Sequence, residues 1–292
     1  MAYAFERTNG VWGEQQELTI NDCRTQFLFG GSVALSADGR VALLGRPNIS
    51  DELLGGEAHV FVRNAMGVWG AQPPVTIGPD FEIGHPITPS GDEPGFGDSV
   101  ALSGDGRRLL IGGNHFITGS GPVYVFKRAG AKWTELQKII PPAGVEFDQI
   151  ALAADGNTAL IGAPDSLQAY VLVRGGVHFR LQQILTGPVL NRFGASVSVT
   201  AHGGRLLVGA SGVGDTPGAA YAFRKSGGIW KLKQTLTPSD SPQDGFGASV
   251  AISKNGGAVL VGSPDAPPCE EEFCLPEPCE GLACGAAYVF RR

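Results

Sequence analysis

Four cysteines, Cys269, Cys274, Cys279 and Cys284, recur at every fifth position. The same stretch carries Asp265, Glu270, Glu271, Glu272, Glu277 and Glu280 and no basic residue. Thiols at this density do one of two things. As thiolates they hold a metal, but structural zinc sites usually rest on a tight Cys-x2-Cys knuckle, which a Cys-x4-Cys series lacks. As disulfides they staple a long loop that has no core of its own, and the spacing favours this reading, with two bridges expected within 269–284. Cys23 brings the count to five, so one thiol stays free or bonds between chains. The acids around the cysteines keep the loop soluble or form a patch that faces cations. Asn48-Ile49-Ser50 is an N-glycosylation sequon, meaningful in a eukaryotic secretory protein.

Catalytic patterns are absent. The chain has no Gly-x-Ser-x-Gly, no His-Glu-x-x-His and no Gly-x-Gly-x-x-Gly. Of the five histidines, His59 and His202 fall in a strand slot and a turn, while His85, His115 and His178 share no slot. Asp98 and Asp148 are the only acids near the starts of the innermost strands, and two acids do not make a site. Asp240–Gly245 reads as an Asp- and Pro-rich turn, because Pro242 stands where a calcium loop needs an oxygen ligand. The insertion 77–94 reads as a packed lid or a disordered loop. A net charge of −6 leaves no basic surplus to neutralise phosphates, which argues against a nucleic-acid partner. No apolar run approaches the ~18 residues of a membrane span, and residues 1–20 lack the pattern of a signal peptide. The clustered cysteines point to an oxidising compartment, hence a secreted or cell-surface protein.

The elements that must position these residues are written five times. Copies begin at Phe29-Gly30, Phe96-Gly97, Phe147-Asp148, Phe193-Gly194 and Phe246-Gly247, and reach a second glycine at Gly45, Gly112, Gly162, Gly209 and Gly262. That distance is 16 residues in four copies and 15 in the third. Each copy holds four strand-like pieces: a small-residue strand, a tight turn such as Ala37-Asp38-Gly39, an apolar strand, and two outer strands. The third piece carries Tyr-x-Phe, as in Tyr221 and Phe223, and the fourth opens on Trp12, Trp69, Trp133, Phe179 or Trp230. Helical periodicity is nearly absent. Four antiparallel strands at this period describe an all-β propeller blade. The expected architecture is a single β-propeller over 1–292, with repeat cores near 29–76, 96–140, 147–186, 193–237 and 246–292, outer strands from 1–20 and a Cys-rich acidic loop at 265–284.

The series Phe-Gly-x-Ser-Val-Ala-Leu, Leu-Ile-Gly-Ala-Pro and Ala-Tyr-Val-Phe resembles the FG-GAP repeat of the integrin α-chain propeller and of many bacterial surface proteins. The resemblance covers essentially the whole chain and is cleanest over 193–223 and 246–290. It implies an adhesive or ligand-binding propeller, and one subset of the family holds calcium between the first two strands. Here those turns are two to four residues long and lack an Asp-x-Asp-x-Asp-Gly series, so calcium and other cofactors are not expected at them.

Three functions follow as expectations. The first is a non-catalytic extracellular propeller that binds a protein or glycan. The second is a structural unit that assembles with copies of itself by donating a terminal strand. The third is an enzyme with a divergent central-channel site. Slot counting gives six third strands against five of every other kind, so 2–7 or 286–292 is spare. The expected closure pairs 11–19 with 286–292, giving five blades with a strand from each terminus in one blade. A piece cut from a longer array would show the same count.

Overall fold

The computed structural model describes residues 1–20, 28–47, 56–71, 95–113, 121–130, 132–188, 191–212, 216–238, 245–264 and 285–291. The chain divides into two compact units, Met1–Pro142 and Ala143–Arg292. In the first, β1 (Ala2–Thr8) and β2 (Val11–Leu18) form a hairpin. A four-stranded sheet follows from β3 (Val33–Leu35), β4 (Val41–Arg46), β5 (Glu57–Arg63) and β6 (Trp69–Ala71). The next comprises β7 (Phe96–Leu102), β8 (Arg108–Gly113), β9 (Val123–Ala129) and β10 (Lys132–Ile139). In the second unit, β11 (Ile150–Leu152), β12 (Thr158–Ala163), β13 (Gln168–Gly175) and β14 (His178–Thr186) make one sheet, with a 3-10 turn at Pro164–Ser166. The next sheet holds β15 (Phe193–Val199), β16 (Arg205–Ala210), β17 (Ala219–Ser226) and β18 (Ile229–Leu236), and the last holds β19 (Ser249–Ile252), β20 (Ala258–Ser263) and β21 (Ala286–Arg291). Every pairing is antiparallel between sequence neighbours. The expected all-β fold of four-stranded propeller blades is what the chain adopts.

The repeat residues have physical jobs. The Phe that opens each copy packs edge-on against an aromatic pair two strands away, except Phe147, which meets Tyr170 alone because Leu172 takes the second place. Phe193 lies 5.3 Å from Tyr221 and 6.3 Å from Phe223, and Phe246 sits 5.2 Å from Tyr288 and 6.3 Å from Phe290. The following Gly247 has φ +92, and a Cβ there would strike the carbonyl of Ala219. Gly209, at the end of β16, faces it: a methyl there would run into the Gly247 carbonyl oxygen. The paired glycines therefore let two neighbouring sheets touch through their backbones. The serine two residues after the Gly staples the same contact, since Ser196 Oγ donates to Gly247 O at 2.8 Å. Ser32 Oγ does likewise to Gly97 O at 2.7 Å in the first unit.

The fourth strands carry a second staple. A bulge falls three residues after the aromatic, where Phe223 opposes Leu232 but Ala222 opposes Gln234. It turns the glutamine four residues after the aromatic to the other face of the strand. The aromatic thus buries against one neighbouring sheet while the glutamine reaches the other. Gln183 donates to Trp230 O (2.9 Å) and accepts from Trp230 N–H (2.8 Å). Gln16 makes the same pair of bonds to Trp69, both at 2.9 Å.

The strand expected to close a blade does not do so. Instead of pairing with 286–292, Val11–Leu18 pairs with β1, while β21 ends a three-stranded sheet. The reason is local. Asn9 (φ 54) and Gly10 (φ 86) form a two-residue turn with both residues in the left-handed region, the geometry that matches strand twist and closes a hairpin at small entropic cost. Ala2, Ala4 and Leu18 of this hairpin pack with Ala42, Leu44, Phe61 and Trp69, and Arg63 holds Glu6 at 2.5 Å.

Candidate functional site

Each blade in the second unit has two ends. One carries the tight turns between first and second strands, and it is strongly basic. Arg205 opens β16 directly opposite Arg224 on β17, and Arg224 in turn stands opposite Lys231 on β18. Like charges in one cross-strand row oppose folding rather than support it. Next to this row is a hollow of 350 Å³, lined by Thr200, His202, Arg205, Arg224, Lys225, Lys254 and Asn255 among others, none of them an acid.

Its frame is fixed by backbone and aromatic contacts. Ala201 N–H donates to Lys254 O at 3.1 Å, which ties the two turns together. Arg205 Nη1 donates to Gly256 O at 2.5 Å. Lys225 Nζ lies 4.3 Å over the Trp230 ring, a cation–π contact that holds the ammonium at the rim. Thr200 is buried and its Oγ1 accepts from Arg205 N–H at 3.0 Å. His202 is exposed and lies 3.7 Å from Asp155. Arg224, Lys225 and Lys254 are exposed and present their charge to solvent. Preformed cations that outnumber the nearby Asp155 attract and hold an anion.

The opposite end of this unit is acidic. Asp148, marked from sequence, sits where burial raises its carboxyl pKa, with Asp165 adding to the rise and Gln149 and Arg192 opposing it. Glu146 is likewise raised, first by loss of solvent and then by Asp165. Arg192 reaches Asp165 at 3.6 Å. In the first unit, Glu57 accepts from Arg46 at 2.9 Å and lies 3.2 Å from His59. Burial opposes its charge, but His59 and then Arg46 outweigh this and hold its carboxyl below the ordinary range. His59 also packs edge-on to Phe29 at 5.5 Å, so it fills the tyrosine slot as the sequence implied. Among the described residues no three His, Cys, Asp or Glu stand close enough to share a metal ion, and no helix is long and apolar enough to cross a membrane.

The disulfide candidates Cys23, Cys269, Cys274, Cys279 and Cys284, the sequon Asn48, and His85 and His115 lie outside the described residues. The basic hollow was not anticipated. Its residues come from three separate places, 200–205, 224–225 and 254–255, and only the strand pairing brings them together.

Comparison with known proteins agrees with this architecture. The chain is similar to Kuenenia stuttgartiensis hydrazine synthase, with TM-score 0.56 and 14% identity over 94% of this chain, and it spans 66% of that protein's length. It is also similar to a Bacteroides uniformis protein assigned as a 6-phosphogluconolactonase, with TM-score 0.52, 11% identity and coverage of 99% and 94%. Identities this low carry the fold alone. No curated protein matches the sequence. The family profile of the FG-GAP repeat matches residues 230–290, the segment that supplies β18 and the whole three-stranded sheet. Residues 230–290 thus carry an FG-GAP repeat, and the four-stranded antiparallel blades are those of a β-propeller fold.

Proposed function

We propose that this is a non-catalytic binding propeller whose basic hollow receives an anionic group on a protein or glycan partner. The carrying observation is the concentration of Arg205, Arg224, Lys225 and Lys254 around one hollow in a chain of net charge −6. A chain with an acidic surplus has no general reason to gather cations, and the Arg205–Arg224–Lys231 row costs folding energy unless a ligand repays it. The cysteine series 269–284 supports a secreted or cell-surface setting.

The test is binding of heparin fragments and of poly-glutamate, with neutral dextran as control, across a salt series. Wild type binds the polyanions more weakly as salt rises. Arg224→Glu combined with Lys254→Glu lowers affinity at least tenfold without changing the melting temperature by more than a few degrees. Equal binding by the double variant, or equal binding of dextran, sinks the proposal.

A further inference from the structure

The three-stranded sheet β19-β20-β21 leaves a cavity of 620 Å³ against β16–β18, all within the second unit. Ala222, Gln234, Leu236, Gly256, Val259 and Phe290 line it. Each has a counterpart one blade earlier, at the same place in the repeat. Val171, Leu185, Leu206 and Phe223 form one buried cluster with Trp230 and match Ala222, Leu236, Val259 and Phe290. Gln183, which clamps the Trp230 backbone, matches Gln234. Gly203, whose carbonyl accepts from Trp230 Nε1 at 3.0 Å, matches Gly256. The cavity therefore has the walls of an aromatic site. The bulge that aims Gln183 also aims Gln234, at Lys233. Among the described residues the Gln234 amide has no hydrogen-bond partner.

The chain also carries the complementary piece. Trp69, Trp133, Phe179 and Trp230 are 1–8% exposed, whereas Trp12 on β2 is 65% exposed. The ladder partner of β2 is β1, which reads Ala2-Tyr3-Ala4-Phe5-Glu6-Arg7, and β21 repeats it as Ala287-Tyr288-Val289-Phe290-Arg291. The edge of β21 away from β20 thus offers β2 the pattern it already pairs with.

We propose that the cavity is a socket for Trp12 of a second copy, whose β2 adds to β19-β20-β21 as its fourth strand. In the assembly, β2 keeps its Gln16 bonds to its own Trp69 and exchanges only its ladder partner, β1 for the other copy's β21. Gln234 takes the backbone N–H and C=O of Trp12, and the indole fills the cavity. Strand exchange conserves the ladder bonds and adds the burial of one tryptophan, which makes it a low-cost route to association. The contact is heterologous, so it propagates head to tail.

Sedimentation of the full chain over a hundredfold concentration range tests this, together with acrylamide quenching of Trp12 in a variant whose other tryptophans are phenylalanine. Concentration-dependent oligomers are expected, with Trp12 protected only in the oligomer. Trp12→Ala and Gln234→Ala should each weaken association at least tenfold while circular dichroism and melting stay unchanged. An excess of a peptide covering residues 10–20 should break the oligomers. A monomer with freely quenched Trp12 at every concentration overturns the proposal. So does a monomer with protected Trp12, because the chain's own strand then fills the socket. Association that survives both single variants overturns it as well.

Discussion

Replacing Gly209 by alanine isolates the close approach of neighbouring sheets. Its φ lies outside the left-handed region, so the substitution brings no backbone strain; the added methyl instead meets the Gly247 carbonyl oxygen and Ser196 Oγ. Relief requires the sheets to part, which overpacks or shifts the interface at a cost of ~1–3 kcal/mol. It also breaks the Ser196–Gly247 bond, worth ~0.5–1.5 kcal/mol. Lower entropy of the unfolded chain returns ~0.4–1 kcal/mol. The net loss is about 0.5–4 kcal/mol, or a melting decrease of about 1–16 °C at ~2–4 °C per kcal/mol. Gly10→Ala is the control, since Gly10 has φ +86 but open space around its Cβ position, and it should cost only ~1–2 kcal/mol of left-handed strain before the same entropy return. Gly247→Ala combines positive φ with a clash against Ala219 O and should be the most damaging of the three. Differential scanning calorimetry ranks them. A Gly209→Ala protein as stable as wild type would refute the idea that backbone contact between blades selects these glycines.

Gln183→Ala removes both bonds to the Trp230 backbone and should cost ~1–3 kcal/mol in urea unfolding, whereas Gln234→Ala, whose amide has no partner among the described residues, should cost under ~0.5 kcal/mol in the monomer. Glu57→Gln should cost ~1.5–3 kcal/mol at pH 7, from lost charged hydrogen bonds to Arg46 and His59. Because folding lowers the Glu57 pKa, its contribution is complete above the unfolded value of about 4.3 and fades as pH falls through that value toward the folded one. The gap between wild type and Glu57→Gln in urea midpoint should therefore narrow below about pH 4.5, and a constant gap down to pH 3 would contradict the assignment.

The blades were legible because tight turns and period-two strands are local signals. Asp105-Gly106 or Asn255-Gly256 set a hairpin whatever lies around them, and the aromatic slot marks the fourth strand in every copy. The Gln four residues beyond that aromatic, at 16, 137, 183 and 234, was nearly as regular in the sequence, missing only after Trp69, where Pro73 stands. Its meaning stayed hidden because a bulge, not the plain alternation of a strand, decides which face it takes. Slot counting noticed a surplus third strand but misjudged its pairing, since Asn9-Gly10 closes β1 on β2 before any distant partner is available. The basic hollow could not be read from a run of charge. Arg205 and Arg224 become neighbours only through the β16–β17 register, and the summed charge of −6 concealed them.

The most direct test of the binding account is a crystal structure of the protein with a short sulfated glycan bound. The account predicts the sulfate within hydrogen-bond reach of Arg224 and Lys254, with Lys225 still over Trp230. A glycan seated at the Asp148–Asp165 end with the hollow empty would contradict it.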